Sequence, residues 1–126
     1  MDKDLENLKK ILGRLKEEGK ISLAYLYGSY ASGSQHKRSD IDLAIYLNSR
    51  DENRRIEIID EILMSTDRSI DLLLLDDEDE SPFVIQKALK GIPLVEPDDE
   101  ILYMLARRIL HETESIRHKR KLAYHD

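Results

Sequence analysis

The 126-residue chain contains no cysteine and no tryptophan. Without cysteine there is no disulfide and no thiolate-held zinc, and a cytoplasmic setting is the expectation. No apolar run approaches the roughly 20 residues that a membrane helix requires, so no membrane partner is expected. The opening MDKDLENLKK is polar and holds no apolar segment of the secretory kind. Positive charge is also short: 20 Lys and Arg stand against 26 Asp and Glu, a net charge of −6. Such a balance does not suit sequence-independent binding of nucleic acid, which needs a positive surface. The four histidines include no pair at metal-ligand spacing, and none is taken as catalytic.

What is present is 40% apolar and 37% charged, the composition of a soluble globular protein. The length suits a single domain over residues 1–126 with one hydrophobic core. Abundant Lys, Glu, Arg and Ile lean toward a thermophilic source. The charge is uneven: residues 76–80 read DDEDE, whereas the stretch from Tyr103 onward has six Lys and Arg against three Asp and Glu. The acidic run is expected to be a solvated loop and the basic RHKRKLAYHD a solvated helix end.

Hydrophobic spacing sets the order of elements. Leu5, Leu8, Ile11, Leu12 and Leu15 recur at helical period over residues 4–18, and Gly19 ends that helix. ISLAYLYG follows as a strand closed by Gly28. IDLAIYL alternates Ile41, Leu43, Ile45 and Leu47 as a second strand. Residues 50–65 place Ile56, Ile59 and Leu63 on one helical stripe. SIDLLLL, residues 69–75, is apolar enough on both faces to be a central strand. Ser81, Pro82 and Gly91 bracket another helix as N-cap, first position and terminator. IPLVE is a short fourth strand, and Asp98 caps a final helix whose apolar stripes offer a surface for a partner or a second copy. Helices and strands alternate, which predicts an α/β fold (α+β in strict schemes) with a mixed sheet of about four strands covered by helices.

The chemistry concentrates in GSYASGSQHKRSDIDLAI, residues 28–45. Ser39 and Asp42 fit a capping box, which would open a helix. The residues that follow alternate with period two instead, so Asp40, Asp42, Ala44 and Tyr46 share one strand face. Two carboxylates side by side repel unless cations lie between them, and Mg²⁺ prefers such hard oxygens. Asp71 interrupts an aliphatic strand, which solubility does not explain. If the strands of Asp42 and Asp71 are neighbours, three carboxylates can hold two metal ions about 3.5–4 Å apart, an arrangement used for attack at phosphorus. Taken alone, Asp71 is equally well explained as a strand-edge residue bonded to a loop amide. Gly28 lets the backbone approach a ligand, the amides after it can bind phosphate, and Ser29 adds a hydroxyl donor. By itself GSYASG is only a flexible turn. His36, Lys37 and Arg38 lie between the two halves and are expected to be solvated, and Tyr25 and Tyr27 are expected to be strand residues rather than stacking platforms.

Gly28-Ser29, ten intervening residues, then Asp40-Ile41-Asp42 resembles the G-S-x(10)-D-x-D signature of the DNA polymerase β-like nucleotidyltransferase superfamily. GSYASG, IDLLLL and ALKGIPLVE are similar to the small, stand-alone minimal nucleotidyltransferase (MNT) domains of prokaryotes. The resemblance covers nearly the whole chain. It implies that Asp40, Asp42 and Asp71 bind Mg²⁺, with Asp71 also assisting the attacking hydroxyl, and that Gly28 and Ser29 hold the terminal phosphates of ATP. The implied reaction moves AMP from ATP to a hydroxyl and releases pyrophosphate. The implied partner is a HEPN-domain toxin whose tyrosine is adenylylated, which would make this chain an antitoxin. Two other functions stay open at this point: a non-catalytic antitoxin that masks its toxin, and a nucleotidyltransferase acting on a small molecule.

Overall fold

The computed structural model describes residues 3–28 and 40–123, with side chains through Ile116. Helix α1 (Lys3–Glu17) buries Leu8, Leu12 and Leu15 and places Asp4 and Glu6 in its first turn and Arg14 and Lys16 in its last. That polarity complements the helix dipole. Gly19 ends α1 at φ 73°, with its N–H donating to Lys16 and that of Lys20 to Leu15. This pair of reversed bonds needs a left-handed residue at that position.

Strand β1 (Ile21–Tyr27) and strand β2 (Ile41–Leu47) run antiparallel, and helix α2 (Glu52–Leu63) carries the chain across to strand β3 (Ile70–Leu74), parallel to β2. Helix α3 (Pro82–Leu89), the two-residue strand β4 (Ile92–Pro93) and helix α4 (Asp99–Ala123) follow. The sheet order is β3-β2-β1-β4, with β4 antiparallel to β1. Parallel pairing of β2 with β3 requires a crossover, which α2 supplies.

Each face of the sheet has its own core. On one, Ile41, Leu43, Ile45 and Leu47 of β2 pack with Leu8, Leu12 and Leu15 of α1 and Ile58 and Ile62 of α2. On the other, Leu23, Tyr25, Ala44 and Leu73 pack with Ile85 and Ala88 of α3 and Leu105 and Ile109 of α4. A bulge between Ile21 and Leu23 resets the alternation of β1. The extra residue, Ser22, is buried, and its hydroxyl pairs with Asn48 at 2.5 Å. An α/β fold with a mixed four-stranded sheet covered by helices is what the periodicity predicts.

Four local expectations change. β3 is an edge strand, not a central one. It is apolar on both faces because helices cover both, not because strands flank it on both sides. In α2 the buried residues are Ile58 and Ile62; of the expected stripe Ile59 packs half-buried against the same core, while Ile56 is 51% and Leu63 38% exposed. Both stripes fit a 3.6-residue period, and contact with α1 selects between them. β4 stops at Pro93, which has no N–H to extend a ladder. Leu94 still donates to the carbonyl of Ala24, so the chain continues along the edge of β1. Gly91 does follow α3, but its role is space: a Cβ there would run into the Leu26 carbonyl, whose carbon lies at 3.0 Å. Two expected caps hold in position. Pro82 opens α3 after Ser81, without a side-chain bond, and Asp98 Oδ1 accepts from the N–H groups of Glu100 and Ile101.

Candidate functional site

Register brings three side chains into one row. Asp42 is the Cα partner of Tyr27 on β1 and of Asp71 on β3. Tyr27, Asp42 and Asp71 therefore cross three adjacent strands on the face covered by α3 and α4. Asp40, two residues before Asp42, has the same strand parity and stands at the exposed start of β2. The adjacency of β2 and β3, on which the reading of Asp71 depends, is present. Among the described residues none of the three acids makes an ion pair, and no three His, Cys, Asp or Glu side chains are gathered closely enough to hold a metal ion as they stand. The acids form an open row of hard oxygen donors with no ion-pair partner, and the chemistry of that donor set fits a divalent cation.

Asp42 is half-buried at the centre of the row. Burial pushes its carboxyl above the ordinary aspartate range, and the negative charges of Asp71 and Asp40 push it further. Lys87 of α3 pulls the other way. Tyr27 responds to the same surroundings: burial raises its phenol, and Asp42, Asp71 and Glu80 add to the rise. Glu80 and Lys87 are residues that sequence reasoning missed. Only the packing of α3 and the turn before it against β1 brings their charges to this row. Glu80 sits in an acidic run, and Lys87 is the single charged residue of α3, which says nothing of what it faces.

Gly28 has φ 71°, and a Cβ built there would collide with the Asp42 carboxylate, with Cγ only 3.0 Å away. The glycine is thus required by the acid row itself as well as by its left-handed backbone. Ser29, His36, Lys37, Arg38 and Ser39 lie outside the described residues. Tyr25 is 4% exposed within the core, so no base can stack on it. The acidic run splits: residues 77–79 are exposed, but Asp76 binds Arg55 at 2.6 Å and accepts the Leu47 N–H at 3.1 Å. Its first acid is structural rather than merely solvated.

The sequence pattern of the family described as "Polymerase beta, Nucleotidyltransferase" matches residues 6–100. The chain belongs to this nucleotidyltransferase family. Among curated proteins, this nucleotidyltransferase is 36% identical over 69 residues to the "Protein adenylyltransferase MntA" of Shewanella oneidensis. That alignment covers 53% of this chain and 50% of the relative, so the chain spans about half the length of the curated relative it matches. Solved chains from two toxin–antitoxin structures share the fold. One, from a complex with AMP-PNP, has a TM-score of 0.68 at 23% identity, over 92% of this chain and 94% of that one. The other, from a tri-AMPylated Shewanella oneidensis HEPN toxin bound to its MNT antitoxin, has a TM-score of 0.63 at 22% identity, over 96% and 95%. No helix among the described residues is long and apolar enough to cross a membrane.

Proposed function

We propose that this nucleotidyltransferase is a cytoplasmic antitoxin, acting as one domain, that transfers AMP from ATP to a tyrosine of a HEPN-domain toxin. The observation that carries this reading is the row of unpaired acids, Asp40, Asp42 and Asp71, on one face of adjacent strands. The name of the Shewanella relative and the AMP-PNP and AMPylated-toxin complexes support the choice of nucleotide and acceptor.

In this reading Asp40, Asp42 and Asp71 would hold two Mg²⁺ ions, which would supply charge neutralisation at the triphosphate. Gly28 leaves the Asp42 carboxylate its place, and together Gly28 and Ser29 would hold the terminal phosphates. Asp71, on the strand edge, takes the proton of the tyrosine hydroxyl as its oxygen bonds to the α-phosphorus. The bond from that phosphorus to the bridging oxygen breaks, and pyrophosphate leaves. The protein supplies positioning and charge compensation, which is most of what phosphoryl-type transfer requires.

The test is incubation with ATP, Mg²⁺ and a HEPN protein encoded beside this chain, followed by intact mass. The expected result is AMP added to the partner by the wild type and none by Asp40→Asn. Tight binding of the partner with no AMP on any protein would overturn the catalytic reading in favour of masking.

A further inference from the structure

Three carboxylates already crowd the acid row, and a triphosphate would bring further negative charge to it. A cation supplied by the protein would ease both. Helix α3 carries one charged side chain, Lys87. The end of α3 is pinned beside the row. Gly91 lies against the Leu26 carbonyl, whose carbon would be 3.0 Å from a Cβ placed there, and Ile92 is the Cα partner of Leu26. Leu26 immediately precedes Tyr27, the partner of Asp42. Lys87 stands about one helical turn before Gly91, roughly 6 Å along the axis, a distance that a lysine side chain spans.

Ala88, the next residue, is buried in the core with Tyr25, Ala44 and Leu73, so α3 packs on the sheet face that carries the acids. Lys87 itself is exposed. Among the described residues its ammonium makes no ion pair or hydrogen bond, and it pairs with none of the three acids. Its charge nevertheless reaches the row: it opposes the rise that burial, Asp71 and Asp40 impose on the Asp42 carboxyl. Lys90, also exposed and also unpaired among the described residues, is not among the charges that act on Asp42. The helix dipole favours a lysine at this end of α3, but it favours Lys87 and Lys90 alike. Only Lys87 bears on the acids.

We infer that Lys87 is a substrate-binding residue, whose ammonium donates to non-bridging oxygens of the triphosphate and fixes that group over Asp42. This role rests on the AMP transfer proposed above. Lysine suits it as a compact charge with several N–H donors on a flexible stem. An exposed, unpaired ammonium can turn from water to phosphate, whereas one already paired with an acid would first have to give up that partner. Gly28 and Ser29 would hold the terminal phosphates from the end of β1, and Lys87 reaches them from the covering helix, so the triphosphate is gripped from two sides.

The test titrates the full chain with α,β-methylene ATP and Mg²⁺ by calorimetry, in the wild type, Lys87→Gln, Lys87→Arg and Lys90→Gln. The methylene bridge prevents transfer, so binding is read without chemistry. Lys87→Gln should weaken binding by roughly tenfold or more. Lys87→Arg should recover most of that loss, because it keeps the charge and the donors. Lys90→Gln should stay within about twofold of the wild type, since solvent screens its more distant charge. At exposed positions all three variants should keep Tm within roughly 3 °C, which separates lost binding from lost folding. Equal affinity of the wild type and Lys87→Gln would overturn this inference alone. So would an equal loss in Lys90→Gln, the mark of a diffuse field rather than a contact. No binding to the wild type would overturn the reading of the acid row, and the role of Lys87 with it.

Discussion

Gly28 and Gly19 form a natural pair for testing how the acid row is built. Both are left-handed, at φ 71° and 73°. A Cβ on Gly19 meets nothing within 4 Å, whereas a Cβ on Gly28 meets the Asp42 carboxylate. Gly19→Ala should therefore show the backbone cost alone, about 1–2 kcal/mol. In a chain of this size that is a fall in Tm of roughly 3–10 °C. Gly28→Ala carries the same backbone cost and also forces the carboxylate to retreat by about 1 Å to restore van der Waals spacing. A displacement of that size at a reacting centre can cost about a hundredfold in rate. Thermal unfolding and AMP transfer, measured on both variants, separate the two contributions. In an Asp42→Ala background the clash disappears, and Gly28→Ala should cost no more stability than Gly19→Ala. Two results would refute the reasoning: equal stability losses for the two glycines in the wild-type background, or full transfer activity in Gly28→Ala.

Asp42→Asn should abolish transfer yet stabilise the ligand-free protein at neutral pH by roughly 0.5–2 kcal/mol, in the manner of active-site residues held at a cost. The sign follows from the raised carboxyl of Asp42. The folded state holds that proton more tightly than the unfolded chain, so wild-type stability falls as pH rises from the ordinary aspartate value through the raised one. The gap between variant and wild type should open across that window and close below about pH 4, as read by Tm against pH. Arg55→Met removes the partner of Asp76, and both side chains are largely covered, at 21% and 14% exposure. Urea unfolding should show a loss of roughly 1–3 kcal/mol, less than for a fully buried pair because solvent still reaches it.

The alternation of Ile41, Leu43, Ile45 and Leu47 carried the face of Asp40 and Asp42 directly, since strand parity is a local property. The neighbourhood of Asp71 was not local: nothing in SIDLLLL says whether its strand lies at the middle of the sheet or at its edge. Hydrophobicity reports burial of faces, and helices bury the faces of an edge strand as well as those of a central one. The same limit applies to α2, where two stripes satisfy one period and only contact with α1 selects Ile58 and Ile62. Gly28 was legible as a turn, but its contact with Asp42 depends on the pairing of β1 with β2. Lys87 and Glu80 were invisible for a related reason: their relevance comes from how α3 packs, and packing leaves no mark on the residues themselves.

The edge position of β3 bears on when the acid row exists at all. Asp42 sits between two strands, but Asp71 rides on a strand hydrogen-bonded along one side only. Edge elements open at lower free energy than the structure as a whole. Asp71 is therefore held through backbone hydrogen bonds from β2 alone, while Ile70, Leu72 and Leu74 tie its strand into the core against α1. It also joins late, because 28 residues, the whole of α2 among them, separate it from Asp42 along the chain. A ribosome that has released β1 and β2 has not yet produced the row, which is assembled only after the crossover closes.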